Sequence, residues 1–246
     1  MILKNITFTG ADDKINKQDL YDISTNYPMV EWGILWYPKK MGTQRYPTKK
    51  WICEFLDNKP YDVNVSLHIC GNDAWNFANK EESEVWKYLY DANRIQLNFP
   101  KSKMDLNGII TLFHSKRNDF IYNINKFHMI DTGKYVIIQA NKGNKILNAC
   151  LEEVPYVEFL FDESRGGGKN ISEYPTPILQ KYNGYAGGIK PDNVLAILHD
   201  LKKIVPDNST DGNIWIDMET GIRTSNEFDL SKVKSVVDDC ITQIGV

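Results

Sequence analysis

The sequence predicts a single (β/α)8 barrel, an α/β fold of the TIM type, as one domain over residues 1–246. The chain has 246 residues, close to the length of about 250 that is typical of such a barrel. Eight short apolar, β-prone runs recur along it, at 3–8, 29–36, 63–68, 94–97, 135–139, 157–161, 184–186 and 213–216. Helical spacing of apolar residues appears between many of these runs. Alternating strands and helices favour a parallel sheet, and this length favours closure over the rival arrangement, an open doubly wound sheet.

The clearest helical patterns lie near the C-terminus. Segment 191–204 carries a stripe that includes Val194, Leu198 and Leu201, and segment 229–241 carries a similar one. Pro191 after Lys190 is a good helix start, because proline is tolerated in the first turn. The fourth unit is less regular, and residues 101–132 are compatible with more than one helix or with a small added hairpin.

Composition limits the function classes. The net charge is −3, so a general affinity for nucleic acid or for an anionic membrane is not expected. The first residues do not have the shape of a signal peptide, which predicts a cytoplasmic protein. The four cysteines form no CxxC pair, so neither a zinc site nor a disulfide framework is expected. We expect no cofactor, and the oligomeric state is left open.

Polar residues stand at the end of nearly every predicted strand. In barrels of this kind, function lies at the carboxyl ends of the strands. Core packing does not require polar side chains there, so we expect them to converge on one pocket. They are Thr9 after the first strand, Arg45 in the loop after the second, His68, Gln96 and Gln139 at the ends of the next three, Asp162 after the sixth, and Asp217 with Glu219 after the eighth.

Glycine-bearing turns follow the last three strands. They contain Gly166, Gly167 and Gly168 after the sixth strand, Gly187 and Gly188 after the seventh, and Gly221 after the eighth. Glycine lets the backbone approach a ligand closely, and a helix that begins nearby adds partial positive charge. A single glycine-rich turn is weak evidence and is often only a tight turn. Three in succession, at positions where barrels often bind phosphate, predict a phosphate site.

Several segments resemble phosphoribosylanthranilate isomerases. FLFDESRGGGK at 159–169 and YAGGIKPDNV at 185–194 resemble the sixth- and seventh-strand segments of that family. IDMETGI at 216–222 matches the eighth less closely, and WGILWYP at 32–38 with Arg45 resembles the second strand and its loop. IQL at 95–97 resembles the fourth strand.

The resemblance implies an Amadori rearrangement, in which an aminoaldose phosphate becomes an aminoketose phosphate. Such chemistry needs an acid to open the sugar ring and a base to take the proton from C2. By resemblance, Asp162 is the acid, Arg45 holds the carboxylate of the substrate, Asp217 lines the pocket, and the glycines hold the phosphate. Gln96 and Thr9 complete the expected substrate-binding set, and the expected partner is a small phosphorylated molecule.

Thr9 departs from the family, whose base is a cysteine at the end of the first strand. A threonine hydroxyl is not basic near neutral pH, and Cys70 lies on a different strand. His68, Glu219 and Asp12 are therefore the candidate bases. His68 is equally compatible with a hydrogen-bonded histidine at the barrel rim, and Asp12 with a turn or helix cap.

Glu219 stands two residues from Asp217, so like-charge repulsion between the two carboxylates is expected to raise one pKa. A cation site between them is a weaker alternative, and no metal is expected.

Three hypotheses follow. The first is an isomerase of the Amadori type. The second is a related barrel enzyme for another phosphorylated compound, with His68 or Glu219 in place of the cysteine. The third is a barrel that has lost the base and binds a phosphorylated or nucleotide-like ligand without turnover.

Overall fold

The computed structural model describes residues 1–100, 116–130, 134–141, 145–164, 168, 173–207 and 212–241. The barrel strands are β1 (Ile2–Thr9), β2 (Val30–Trp36), β3 (Asn64–Cys70), β4 (Arg94–Asn98), β5 (Tyr135–Ala140), β6 (Val157–Phe161), β7 (Asn183–Ala186) and β8 (Asn213–Met218). The helices are α1 (Lys17–Asn26), α2 (Lys49–Asn58), α3 (Asn72–Asn79), α4 (Arg117–Ile130), α5 (Lys145–Leu151), α6 (Val194–Ile204) and α7 (Leu230–Ile241). Two 3-10 helices (Glu84–Asp91 and Thr220–Ile222) and a short hairpin of β9 (Arg223–Thr224) with β10 (Glu227–Phe228) complete the described elements.

The eight long strands form a closed parallel barrel in chain order, as the sequence predicted. Closure is made by β8 against β1, where Ile6 lies opposite Ile216 and Thr7 opposite Asp217. The open-sheet alternative is therefore wrong. Because all eight strands run in the same direction, their carboxyl ends meet at one face of the barrel.

Some predicted boundaries are wrong by a few residues. His68 lies inside β3, which continues to Cys70, and β8 extends through Asp217 to Met218. Helix α6 begins at Val194, because residues 191–193 form a turn rather than the first turn of the helix. The irregular fourth unit contains α4, and 101–115 lie outside the described residues.

Side chains alternate between the two faces of each strand, and the two faces differ in chemistry. Outward-facing apolar residues such as Phe8, Trp32 and Phe159 form the main core with the helices. A smaller apolar cluster, Ile137, Leu160, Ala186 and Trp215, fills part of the barrel interior. The rest of the described interior is largely polar, so polar side chains extend from the carboxyl ends of the strands down into the barrel.

An ionic layer lies across the barrel below the cavity. The Arg94 guanidinium donates from Nε and Nη2 to the two carboxylate oxygens of Glu31 (2.8 and 2.6 Å) and from Nη1 to Glu158 Oε2 (2.6 Å). Thr7 Oγ1 donates to Glu31 Oε1 at 2.8 Å, and the ring of Trp215 lies 4.3 Å from Arg94 Cζ. Burial raises the pKa of Glu158 to about 7. This layer joins β1, β2, β4, β6 and β8 through side chains alone.

Two helices, α1 and α2, begin at a side-chain cap. Asn16 accepts a hydrogen bond from the Gln18 backbone at the start of α1, and Thr48 accepts one from the Trp51 backbone at the start of α2. Among the described residues, no helix is long and apolar enough to cross a membrane.

Candidate functional site

A cavity of about 760 Å³ opens at the carboxyl ends of the strands. Every one of the eight strands or its following loop contributes to its lining. The cavity brings together Thr9, Arg45, His68, Gln96, Asp162, Gly168, Gly187, Gly188, Asp217, Glu219 and Gly221, all of which the sequence had indicated. Gly166 and Gly167 lie outside the described residues.

Thr9 and Asp217 form a buried pair on neighbouring strands. The Thr9 hydroxyl donates to Asp217 Oδ1 at 2.8 Å. The pair fits because Gly33, opposite Thr9 on β2, has no side chain. A Cβ at position 33 would lie 2.1 Å from Thr9 Oγ1 and 3.1 Å from His68 Cε1. Gly33 therefore leaves the space in which Thr9 and His68 approach each other.

The electrostatic surroundings of Asp217 disfavour its ionised form. Burial is the largest cause and raises the pKa of Asp217 to about 8, with smaller contributions from the carboxyls of Glu219, Asp162 and Glu31. The hydrogen bond from Thr9 acts in the opposite direction. The expected repulsion between Asp217 and Glu219 is present, but burial outweighs it. At neutral pH, Asp217 therefore holds a proton.

Asp162 lies at the end of β6, 4% exposed. Its Oδ1 accepts hydrogen bonds from the Ser164 backbone (3.0 Å) and the Ser164 hydroxyl (2.7 Å). Its Oδ2 accepts a longer bond from Gln139 Nε2 at 3.4 Å. Both oxygens of this carboxyl thus act as acceptors at the cavity wall, which fixes its orientation.

His68 faces the cavity from β3 and is 2% exposed. Burial, together with the positive charge of Arg94, lowers the pKa of His68 to about 3. Its buried Nε2 has no hydrogen-bond partner within the described part of the chain. The imidazole is consequently neutral and a weak base, although it remains able to hydrogen-bond a ligand.

Glu219 is paired across the rim of the cavity. Arg45 Nη1 donates to Glu219 Oε1 at 2.7 Å and to Thr220 Oγ1 at 3.2 Å, while Nη2 donates to Asn226 Oδ1 at 3.1 Å. Burial raises the pKa of Glu219, and the contact with Arg45 opposes that rise. Arg45, which was expected to bind the carboxylate of the substrate, is therefore already bound to a carboxylate of the protein, that of Glu219.

Asp12 connects loops outside the cavity. Its Oδ2 accepts from the Arg45 backbone at 2.9 Å and from Arg223 Nη2 at 3.4 Å. Arg223 also donates from Nη1 to the Gly10 carbonyl at 2.8 Å. Asp12 is buried and does not line the cavity, so the turn interpretation describes it better than the role of a base.

The turns after the last three strands meet at one side of the cavity. Gly168, Gly187 and Gly188 have φ angles of 63°, 107° and 68°. Gly221 packs so tightly that a Cβ there would lie 1.9 Å from the Ile189 carbonyl oxygen. A Cβ on Gly168 would lie 2.7 Å from Thr220 Cβ, so the turn after β8 contacts both of the other turns.

The turn after β7 is tied to the start of α6 by Asn193. Its Nδ2 donates to the Gly188 carbonyl at 2.9 Å, and its Oδ1 accepts from the Lys190 backbone at 2.8 Å. The helix begins one turn later than expected, but Asn193 holds the glycine turn close to its amino end.

Asn98 and Cys70 also form part of the cavity wall, and no role was predicted for them from the sequence. Asn98 Nδ2 donates to Cys70 Sγ at 3.5 Å, and Gln96 Nε2 donates to Asn98 Oδ1 at 3.0 Å. Burial raises the pKa of Cys70 to about 12, so this cysteine is a thiol at neutral pH. Lys40 and Tyr46 also line the cavity, and their place in the same loop as Arg45 is the signal that pointed to them.

No group of three or more His, Cys, Asp or Glu side chains suited to a metal ion occurs in the ranges that the structure describes. The carboxyls of Asp217 and Glu219 instead engage Thr9 and Arg45.

Several solved structures have a similar barrel fold. Phosphoribosylanthranilate isomerase from Thermotoga maritima superposes with a TM-score of 0.58 at 15% identity, over 98% of this chain and 100% of that one. The enzyme from Thermus thermophilus gives 0.57 at 12% identity, over 97% and 99%. The chain has the fold of these isomerases. The resemblance found in the sequence is thus confirmed for the fold, across nearly the whole length.

A third structure is a phosphoribosylanthranilate isomerase in complex with reduced 1-(o-carboxyphenylamino)-1-deoxyribulose 5-phosphate. It has a TM-score of 0.56 at 14% identity, over 98% of this chain and 100% of that one. No protein-family model matches the sequence, and no curated protein matches it.

Proposed function

We propose that this protein is a sugar-phosphate isomerase that carries out an Amadori-type rearrangement of a phosphorylated aminoaldose. The observation that carries the proposal is the cavity itself, which places two buried carboxyls, Asp162 and Asp217, beside the three glycine turns. Proton transfer and anion binding are the two requirements of this reaction, and both sets of groups face the same space.

The phosphate is held in this proposal by the turns that contain Gly168, Gly188 and Gly221. These glycines have no side chain, so backbone N–H groups can approach a bound phosphate closely. The amino end of α6 behind Gly188 adds partial positive charge. Gly166 and Gly167 stay part of the predicted set.

The other end of the substrate faces Arg45 and Lys40. Arg45 offers a planar fork suited to a carboxylate, and a bound substrate carboxylate would share the guanidinium with Glu219. Gln96 and Thr9, on the cavity floor, complete the binding set.

Two proton transfers are needed, one to the ring oxygen and one from C2. Of the candidate bases, His68 is weakened by its lowered pKa, and Glu219 is engaged by Arg45. Asp217 is a buried carboxyl that accepts a hydrogen bond from Thr9, and Asp162 is a buried carboxyl that lines the same cavity. They are the better-suited groups for proton transfer.

Support for the substrate class comes from the similar folds. One isomerase of the same fold was crystallised with a phosphorylated aminoketose analogue. At 14% identity the similarity shows a shared fold and does not show a shared activity, so the substrate class is our proposal for this chain.

Thr9 favours a second candidate function, a barrel that binds a phosphorylated ligand without converting it. A hydroxyl at that position cannot act as the base, and the neighbouring His68 is a poor one. The cavity and its glycine turns would serve this function unchanged.

Turnover of phosphoribosylanthranilate, followed by its loss of fluorescence, tests the proposal. We expect activity in the native protein and a loss of about 100-fold or more in Asp162→Asn. Asp62→Asn, an exposed position, is the matched control and should keep full activity. Native protein no more active than Asp162→Asn would contradict the isomerase, and tight retention of unchanged ligand would then support the binding function.

A further inference from the structure

We propose that Asp217 is the general acid of this site and Asp162 the general base. This inference rests on the proposed function and assigns roles within it. It reverses the role that the sequence resemblance gives to Asp162. The argument comes from the surroundings of the two carboxyls.

The described groups that act on Asp217 are a hydroxyl and several carboxyls. Thr9 on β1 donates its only hydrogen bond in the described structure, at 2.8 Å. Among the described residues, the charged or titratable groups that act on it are Glu219 just after its own strand, Asp162 just after β6, and Glu31 from β2. The imidazole nearest to Thr9 is His68 on β3, which is neutral.

Within the described residues, Arg45 at the cavity rim and Arg94 in the ionic layer pair with carboxylates other than Asp217. Arg45 is bound to Glu219, and Arg94 is bound to Glu31 and Glu158. A carboxyl that is buried among other carboxyls, with a single neutral donor, keeps its proton. The pKa of about 8 agrees with this geometry. A carboxylic acid at the cavity wall is a proton donor at neutral pH.

Asp162 has the opposite environment. Its two oxygens accept hydrogen bonds from the Ser164 backbone, the Ser164 hydroxyl and Gln139, whereas Asp217 accepts one from Thr9. Both aspartates line the same cavity, and the charge of one acts on the other. Neighbouring carboxyls in unlike environments take the acid and the base role respectively.

The proton balance of the reaction closes with these two groups alone. Asp217 gives its proton to the ring oxygen as the C1–O bond breaks, and the nitrogen lone pair forms the C1=N bond of the imine. Asp162 takes the proton from C2, whose bonding electrons form C1=C2 while the C1=N electrons return to nitrogen. Asp217 then takes the proton of the C2 hydroxyl as the carbonyl forms, and Asp162 returns its proton to C1. Both groups end as they began, with no oxidant or reductant.

The test is the pH dependence of kcat/KM for phosphoribosylanthranilate in native protein, Asp217→Asn and the exposed control Asp62→Asn. A general acid predicts that kcat/KM of the native protein and the control falls tenfold per pH unit above about pH 8. Asp217→Asn should lose about 100-fold or more and lack this alkaline decline. Circular dichroism checks that the variant is folded.

A second readout does not depend on turnover. The carboxylic C=O stretch in the infrared difference spectrum between native protein and Asp217→Asn should be present at pH 7 and disappear above pH 8. Thr9→Val should move the disappearance to higher pH, because the bond from Thr9 favours the ionised form.

The outcomes separate the two proposals. Turnover that rises through pH 8, or that survives in Asp217→Asn, overturns the acid role and leaves the isomerase intact. Absence of the infrared band at pH 7 also overturns it. If the native protein has no turnover, the isomerase and the acid role both fail, and the band then reports only where the proton resides.

Discussion

Position 33 governs the arrangement of the side chains around Thr9. Thr9 and Gly33 are opposite each other on adjacent strands, and His68 approaches from the strand beyond. The missing side chain at Gly33 lets the Thr9 hydroxyl point to Asp217 and admits the His68 ring. The chemistry of the cavity floor therefore depends on the smallest residue in it.

We expect Gly33→Ala to be damaging. The added Cβ would lie 2.1 Å from Thr9 Oγ1, so Thr9 must move and its bond to Asp217 breaks. Overpacking of this kind costs about 1–3 kcal/mol, measurable by urea unfolding. In the double variant Thr9→Ala/Gly33→Ala the closest contact is relieved. Its destabilisation should fall short of the sum of the single changes, and a strictly additive result would contradict the account.

The positions of most cavity residues were predictable, but their pairings were not. Thr9, Gln96 and Asp162 line the cavity because the ends of parallel strands converge, and strand ends are visible in the sequence. The pairing of Arg45 with Glu219 joins residues 174 positions apart, and no local pattern encodes it.

At the scale of elements, the turns after β7 and β8 are in direct contact. Gly221, in the 3-10 helix after β8, touches the carbonyl of Ile189 after β7. Asn193 holds the other side of the same turn through the Gly188 carbonyl. The shape of the proposed phosphate wall therefore depends on two loops at once.

Gly221→Ala should separate these loops. A Cβ 1.9 Å from the Ile189 carbonyl oxygen displaces backbone against backbone, which no side-chain rotation can relieve. We expect the affinity for inorganic phosphate, measured by calorimetry, to fall roughly tenfold, which corresponds to about 1.4 kcal/mol. Thr224→Ala, on the exposed part of the adjoining hairpin, is the control and should bind as the native protein does. Unchanged affinity in Gly221→Ala would mean that phosphate is bound elsewhere.

The boundaries of some elements were predicted less precisely than those of others. Periodicity placed β6 at its observed bounds and α7 within one residue, but it ended β3 and β8 two residues early. Polar residues such as His68 and Asp217 interrupt an apolar run, although the strand continues through them. Inward-facing polar positions in a barrel therefore look like loops when read from sequence.

At the scale of the whole molecule, several buried carboxyls lie inside the barrel. The layer of Glu31, Arg94 and Glu158 lies below the cavity, and Asp217 lies above this layer, at the cavity wall. Burial disfavours the ionised forms of Glu158 and Asp217. The free energy of unfolding therefore depends on pH through the ionisation of these two buried carboxyls.

Arg94→Met should leave two buried carboxylates without a counter-ion. We expect a loss of about 3–5 kcal/mol in the free energy of unfolding at pH 8. The loss should be smaller at pH 5, where the carboxyls can take up protons. The triple variant with Glu31→Gln and Glu158→Gln as well should recover much of that stability. If Arg94→Met is as stable as native protein at pH 8, the ionic layer does not stabilise the fold.

Stability should also fall as pH rises from about 4 to about 8. The pKa values of Asp217 and Glu158 in the folded state are about 8 and about 7, above those of an unfolded chain, so the folded state binds more protons across this range. Asp217→Asn removes one contribution and should be more stable than native protein by roughly 1–3 kcal/mol at pH 8, with a smaller difference at pH 5. Denaturant unfolding at both pH values checks this, and a pH-independent difference would contradict it.

The central claim is that the cavity holds a phosphorylated aminosugar with its phosphate at the turns after the last strands. A crystal structure with reduced 1-(o-carboxyphenylamino)-1-deoxyribulose 5-phosphate bound tests it most directly. We predict the phosphate against Gly168, Gly188 and Gly221, the carboxylate at Arg45, and the sugar between Asp162 and Asp217. A cavity that stays empty at saturating ligand, or a phosphate bound away from these turns, would contradict the claim.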